Sequence, residues 1–208
     1  TQLNWQASPK SGVWRKPLAR EEAERGHATS IVRFDPGSRF SEHDHPMGEE
    51  ILVLEGTFSD HTGNFTAGTY FRNPTGFIHA PFSKNGCTIL AKLHQFLSED
   101  TERVCINYKD HTNSPSWVKH NDYESLPLHR FNNETVELIR GLSDSAHLDL
   151  SNTDSELLVI EGSIECNGKN HRVGKWLRSP KGKAHSVTLP KNSLVWIKTN
   201  HLSEIAYT

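Results

Sequence analysis

The sequence predicts an all-β fold built from two copies of one small β-domain. Three observations carry this expectation. The apolar runs are short and strand-like, as in ILVLEG, ELLVIEG and LVWIK. Gly and Pro fall between them at short intervals, as turn formers do. Finally, one block recurs: EEILVLEG at 49–56 returns as SELLVIEG at 155–162, an offset of 106 (155 minus 49). At the same offset Gly68, Pro74, Gly76 and His79 become Gly174, Pro180, Gly182 and His185. Arg72 and Lys92 become Arg178 and Lys198, and TILAK lines up with LVWIK. No insertion or deletion is needed across this window. The expected domains are therefore 1–110 and 111–208, joined near the turn-rich KDHTNSPSW at 109–117.

Bulk properties exclude several classes. The chain has 208 residues, a net charge of −2 and a pI near 6.6. No Lys/Arg run stands out, so neither nucleic acid nor an acidic membrane surface is an expected partner. No apolar stretch approaches the ~20 residues that span a bilayer. No signal-peptide pattern is present, and the opening Thr1 predicts a trimmed or processed start. Three widely spaced cysteines, Cys87, Cys105 and Cys166, form no CxxC pair and predict a reducing, cytoplasmic setting.

In chain order, Trp5 and Trp14 are placed on an N-terminal arm across the barrel. PLAREEAERG (17–26) is the one fair helical candidate. Next comes SEHDHPMGEEILVLEG (41–56). His43 and His45 lie two apart, so on an extended strand they share a face. A turn through Pro46, Met47 and Gly48 would return Glu49 beside them on the next strand. Pro74 and Gly76 suit a tight turn, one presetting φ and the other accepting positive φ. That hairpin would deliver His79 to the same point. Three imidazoles and one carboxylate suit Fe(II), Zn(II), Mn(II) or Ni(II), and leave a coordination position open.

Tyr70, Phe71, Phe77 and Phe82 are expected in the core or barrel wall. His27 and His94 could approach the site but are read as satisfied structural histidines. Cys87, in the apolar run GCTIL, is read as a buried inert thiol. No nucleophile–base spacing and no Gly-rich phosphate loop appears.

The spacing Gly37-x5-His43-x-His45-x3-Glu49-x6-Gly56, followed by Gly68-x5-Pro74-x-Gly76-x2-His79, resembles the two signature motifs of the cupin superfamily. All nine fixed positions are met; the trailing Asn of the second motif is replaced by Ser83. The resemblance implies tandem double-stranded β-helix (jelly-roll) barrels, a bicupin. Residues 48–96, with GVWRKPLA and TSIVRFDPG before them, look most like the cupin domain of ChrR-type anti-sigma factors. Carried over, the ligands are His43, His45, Glu49 and His79, with zinc the metal the resemblance favours. That family's cupin follows a zinc-bound sigma-binding domain; its His-x3-Cys-x2-Cys signature does not occur in this chain.

The second copy serves as an internal control. At offset 106, His43, His45 and Glu49 become Asp149, Ser151 and Ser155, and only His185 keeps a ligand identity. One imidazole cannot hold a transition metal tightly, so this barrel is expected to be metal-free. Glu156 matches Glu50, not Glu49, and is expected to point away from the barrel centre. Arg72 and Lys92 recur in Arg178 and Lys198, and are expected to pair with carboxylates or carbonyls.

Two functions follow. One is a regulatory sensor cupin, in which a metal and a small ligand in the first barrel act on a sigma factor or other regulatory protein. The other is a non-haem dioxygenase acting on a diketone or enolate. The chain would be a monomer or homodimer.

Overall fold

The computed structural model describes residues 4–20, 27–110, 116–183 and 186–202. Two compact units are present, Thr1–Ser114 and Pro115–Thr208. All regular structure among the described residues is strand.

In the first unit the strands are β1 (Gln6–Ala7), β2 (Val13–Arg20), β3 (Ala28–Phe34), β4 (His43–Asp44) and β5 (Glu49–Asp60). They continue as β6 (Gly63–Thr66), β7 (Thr69–Asn73), β8 (Ile78–His79), β9 (Cys87–Leu93) and β10 (Val104–Asn107). One sheet runs β1-β2-β3-β9-β5-β7-β10, with β6 folded back on the end of β5. The short pair β4-β8 stands apart. Val13, Val32, Phe34, Ile51, Val53, Ile89 and Ala91 project from the large sheet onto Phe58 and Phe65. Burial of these side chains closes the barrel.

The second unit holds β11 (Val118–Lys119), β12 (Tyr123–Phe131), β13 (Glu134–Gly141), β14 (Ala146–Asp149) and β15 (Ser155–Glu161). Then follow β16 (Ser163–Cys166), β17 (Lys169–Arg172), β18 (Trp176–Ser179), β19 (Ser186–Leu189) and β20 (Leu194–Thr199). Its sheets run β11-β12-β13-β20-β15-β18 and β14-β19-β16-β17. Leu157, Val159, Val187, Leu189, Val195 and Ile197 form its core.

The repeat seen in the sequence is a repeat of register. Glu49 pairs with Leu93 and Glu50 with Lys92; Ser155 pairs with Thr199 and Glu156 with Lys198. Both ladders break at equivalent steps, between Val53 and Glu55 and between Val159 and Glu161. Outside the window the equal offset fails. His43 lies opposite His79 on β4-β8, whereas Asp149 lies opposite Ser186 on β14-β19. The residue facing Asp149 is thus one beyond the offset.

One local expectation changes. Pro17–Arg20, expected at the start of a helix, end strand β2 instead, while 21–26 fall outside the described residues. β2 is recruited by its ladder to β3, and tertiary pairing outweighs the local helix preference. Pro17 sits where that ladder slips, between Pro17 and Ala19, a position that tolerates a missing N–H.

Candidate metal centre

Each expected ligand is positioned by a distinct turn or strand. The backbone N–H of Gly48 donates to the His45 carbonyl at 3.1 Å, and Gly48 has φ 73°. This is the predicted Pro46–Gly48 turn, and it starts β5 with Glu49. The second turn differs in detail. Pro74 supplies the carbonyl that accepts the Phe77 N–H at 3.1 Å, while Gly76, at φ 82°, takes the left-handed position. Proline therefore opens this turn, and glycine bends it. His79 follows on β8, directly across from His43.

The side chains converge. His43, His45 and His79 offer nitrogens that all lie within 4.8 Å of one another. His45 Nε2 and His79 Nε2 are 3.0 Å apart. Glu49 Oε1 is 3.6 Å from His45 Nε2, and its Oε2 is 3.5 Å from His79 Nε2. Tetrahedral or cis ligand atoms about 2.0–2.2 Å from one cation lie roughly 3–3.6 Å apart, so these spacings suit a shared metal. His45, Glu49 and His79 are buried and His43 half-buried. Burial, ahead of the opposing pull of Glu49, lowers the His45 pKa, which favours the neutral imidazole that a metal needs.

A supporting layer orients these donors. His43 Nδ1 donates to the Ser41 carbonyl at 2.8 Å, and His79 Nδ1 to Asp60 Oδ2 at 3.0 Å. Both bonds leave Nε2 with its lone pair toward the cluster. Asn73 Nδ2 donates to Glu49 Oε2 at 3.2 Å. Burial alone would raise the Asp60 pKa, but hydrogen bonds from His79 and Thr62 outweigh it and hold the group at about 2.

The sequence pattern missed Asp60 for a clear reason. Glu49, Ile51 and Val53 face inward at odd positions, but the bulge at Val53/Glu55 inserts one residue. Inward parity then switches to even positions, bringing Phe58 and Asp60 to the same interior. A strict two-residue period would have sent Asp60 outside.

Other expectations can now be placed. Glu50 is buried on the opposite sheet face from Glu49 and accepts from Tyr70 Oη at 3.1 Å. Arg72 forms a two-pronged pair with Asp100 at 3.0 and 2.5 Å, and Lys92 donates to Thr29 at 2.9 Å. Arg72 thus meets a carboxylate as expected, and Lys198 likewise pairs with Glu134 at 2.8 Å, whereas the partner of Lys92 here is a hydroxyl. Ser83 donates to the Thr57 carbonyl at 2.6 Å. Burial pushes the Cys87 thiol up to about 11, consistent with an inert buried group. Trp5 lies under Lys16 and Arg33, and Trp14 donates to Asp35 at 2.8 Å. Phe77 packs edge-on against His79.

The cluster opens onto a cavity of about 460 Å³. His43, His45 and Glu49 form part of its wall, with Phe40, Phe58 and Ile89 supplying apolar surface. His94, read from sequence as a satisfied histidine, also lines it; burial, then the neighbouring His27, lowers its pKa. The second barrel has no such cluster of imidazoles among its described residues. Ser155 and Ser179 stand where Glu49 and Asn73 pair, so ligand and support are lost together. Asp149 is exposed and caps the Ser151 N–H at 2.9 Å. His185 lies outside the described residues.

Two β-barrel units with an imidazole–carboxylate cluster in the first define the class: a bicupin fold with residues that could hold a metal. The more particular relation is to the ChrR cupin-like domain, whose family matches residues 1–97. No curated protein matches the chain by sequence. Among solved structures, a provisionally assigned dioxygenase of Nostoc punctiforme is similar over 99% of this chain and 80% of its own, with 15% identity and TM-score 0.70. A point mutant of Bacillus subtilis oxalate decarboxylase matches over 96% of this chain and 75% of its own, at 12% identity and TM-score 0.61. A cupin 2 conserved barrel domain protein of Leptotrichia buccalis matches over 93% and 91%, at 11% identity and TM-score 0.60. At such identities these likenesses show the fold.

Proposed function

We propose that this protein is a metal-dependent sensor cupin of the ChrR type, binding a divalent transition metal and a small ligand in its first barrel. The observation that carries the reading is one cluster: three imidazoles and Glu49, with the His45, Glu49 and His79 donor atoms 3.0–3.6 Å apart, at the wall of a 460 Å³ cavity. His43, His45, Glu49 and His79 hold the metal; Asp60 and Asn73 fix their orientation. When bound, the metal supplies a Lewis-acidic position for an oxygen-bearing ligand. The cavity shields that ligand from water, and Phe40 and Phe58 pack against it. The regulatory role, with a sigma factor or another regulatory protein as receiver, rests on the family matched by residues 1–97.

A second reading, a dioxygenase acting on a diketone or enolate, is favoured by the opening of the same cluster onto a ligand-sized cavity. Elemental analysis of protein purified without added metal, joined to oxygen-uptake assays on 2,4-pentanedione, separates the two. Tightly held zinc without oxygen uptake supports the sensor. Iron with uptake supports the oxygenase. A chain that acquires no metal defeats both.

A further inference from the structure

Among the described residues, the wall of the cavity beside the metal cluster carries more positive than negative side chains. Lys10, Arg15 and Arg20 face it alongside the two carboxylates of Asp44 and Glu49. A metal bound at the imidazoles would add further positive charge. Val32, Phe34, Phe40, Phe58 and Ile89 supply apolar surface between them, while Lys10 and Arg15 are half-buried and Arg20 is exposed.

Register explains how the exposed Arg20 comes to line the cavity. The inward row of the sheet that contains Glu49 continues through Leu93 to Ala28. Arg20 lies opposite Ala28. Without the slip between Pro17 and Ala19, residue 19 would take that place and Arg20 would turn to the opposite face. The bulge therefore puts a guanidinium in the same row as a candidate metal ligand, three strands away. At about 4.8 Å per strand the row spans roughly 14 Å between backbones. The Glu49 and imidazole side chains reach in from one end and the long Arg20 stem from the other. A ligand bridging the two ends therefore spans less than that roughly 14 Å. Arg15 lies in the row of Val53, Ile89 and Val32, farther along the barrel.

We propose, resting on the metal-centre reading above, that the ligand of the first barrel is a short dicarboxylate. One carboxylate binds at the metal held by His43, His45, Glu49 and His79, and the other pairs with Arg20. A guanidinium matches a carboxylate with two parallel N–H donors, and does so most strongly in a partly dry site. Arg15 and Lys10 raise the anion affinity of the cavity as a whole.

The test uses the full chain loaded to one Zn²⁺ as verified by elemental analysis, titrated calorimetrically with succinate and with butyrate. The two probes share a four-carbon chain and differ by one carboxylate. Succinate is expected to bind at least tenfold more tightly. Arg20→Gln should abolish that preference while leaving zinc content and thermal midpoint unchanged, and Arg20→Lys should restore part of it. Equal binding of the two probes by the native chain, or an undiminished preference in R20Q, overturns the proposal. So does a succinate preference that survives chelation at equal affinity, because the ligand then does not bridge to a metal. Failure to take up zinc at all defeats the metal centre itself and is read separately, before any probe is added.

Discussion

At the scale of single residues, the cluster is held by a chain of dependencies. His45 is buried between Glu49 and His79, so its removal takes away a central donor. His45→Ala is expected to abolish metal retention on gel filtration, measured by elemental analysis. It should also lower the thermal midpoint of the metal-loaded protein, since a metal bound only by the folded state stabilises it by about 2.7 kcal/mol at a hundredfold excess over Kd. Asp60 acts through His79. Asp60→Asn keeps an acceptor for Nδ1–H but loses the charge, and should weaken metal binding by about 10–100-fold in a competition titration. Asp60 also sets a pH dependence. Its folded pKa, about 2, lies below the ordinary 3.8, so the folded state favours the carboxylate. That stabilisation is complete above about pH 4 and fades as pH falls through 2. The difference in unfolding free energy between the native chain and D60N, compared without metal, should shrink over that interval; a constant difference would refute this role.

At the scale of elements, bulges and turns decide which side chains meet. Gly56 follows the β5 bulge with φ 71°, and a Cβ there would lie 2.1 Å from the Gly86 carbonyl oxygen. Gly76 has φ 82° but nothing within 4 Å of its would-be Cβ. The two substitutions should therefore separate. Gly76→Ala is expected to cost about 1–2 kcal/mol, the left-handed penalty alone. Gly56→Ala adds a backbone clash and should cost more than about 3 kcal/mol. Urea unfolding of both variants checks this; equal midpoints would mean that β5 and β9 relax apart at no cost. The sequence marked both glycines as turn or fold positions through the repeat. It did not reveal that one is crowded by a strand distant in the chain.

At the scale of the whole molecule, the two units share a ladder but not a chemistry. Both contain the same broken register and the same buried lysine opposite a glutamate, Glu50–Lys92 and Glu156–Lys198. Only the first has convergent imidazoles among the described residues. A metal-to-chain ratio of one is expected, and two would show a binding site beyond the imidazole cluster. Chelation should speed amide exchange in β4, β5 and β8 while leaving β15 and β20 unaffected, as read by hydrogen-exchange mass spectrometry.

What could be read from the residues alone was the repeat, the strand class and the candidate ligands His43, His45, Glu49 and His79, which the fold brings together. These are local signals: apolar runs, turn formers and fixed spacings within one or two hairpins. Which other side chains join them was decided only in three dimensions. Asp60 faces the interior and Arg20 lines the cavity because a bulge in each strand shifts a parity that sequence alternation would have reversed. Asn73 reaches Glu49, and the row from Glu49 ends at Arg20, because strands far apart in the chain pair in a particular register. A two-residue period carries no record of an inserted residue, and no local pattern names a strand's partner. The pairing of distant strands supplies both.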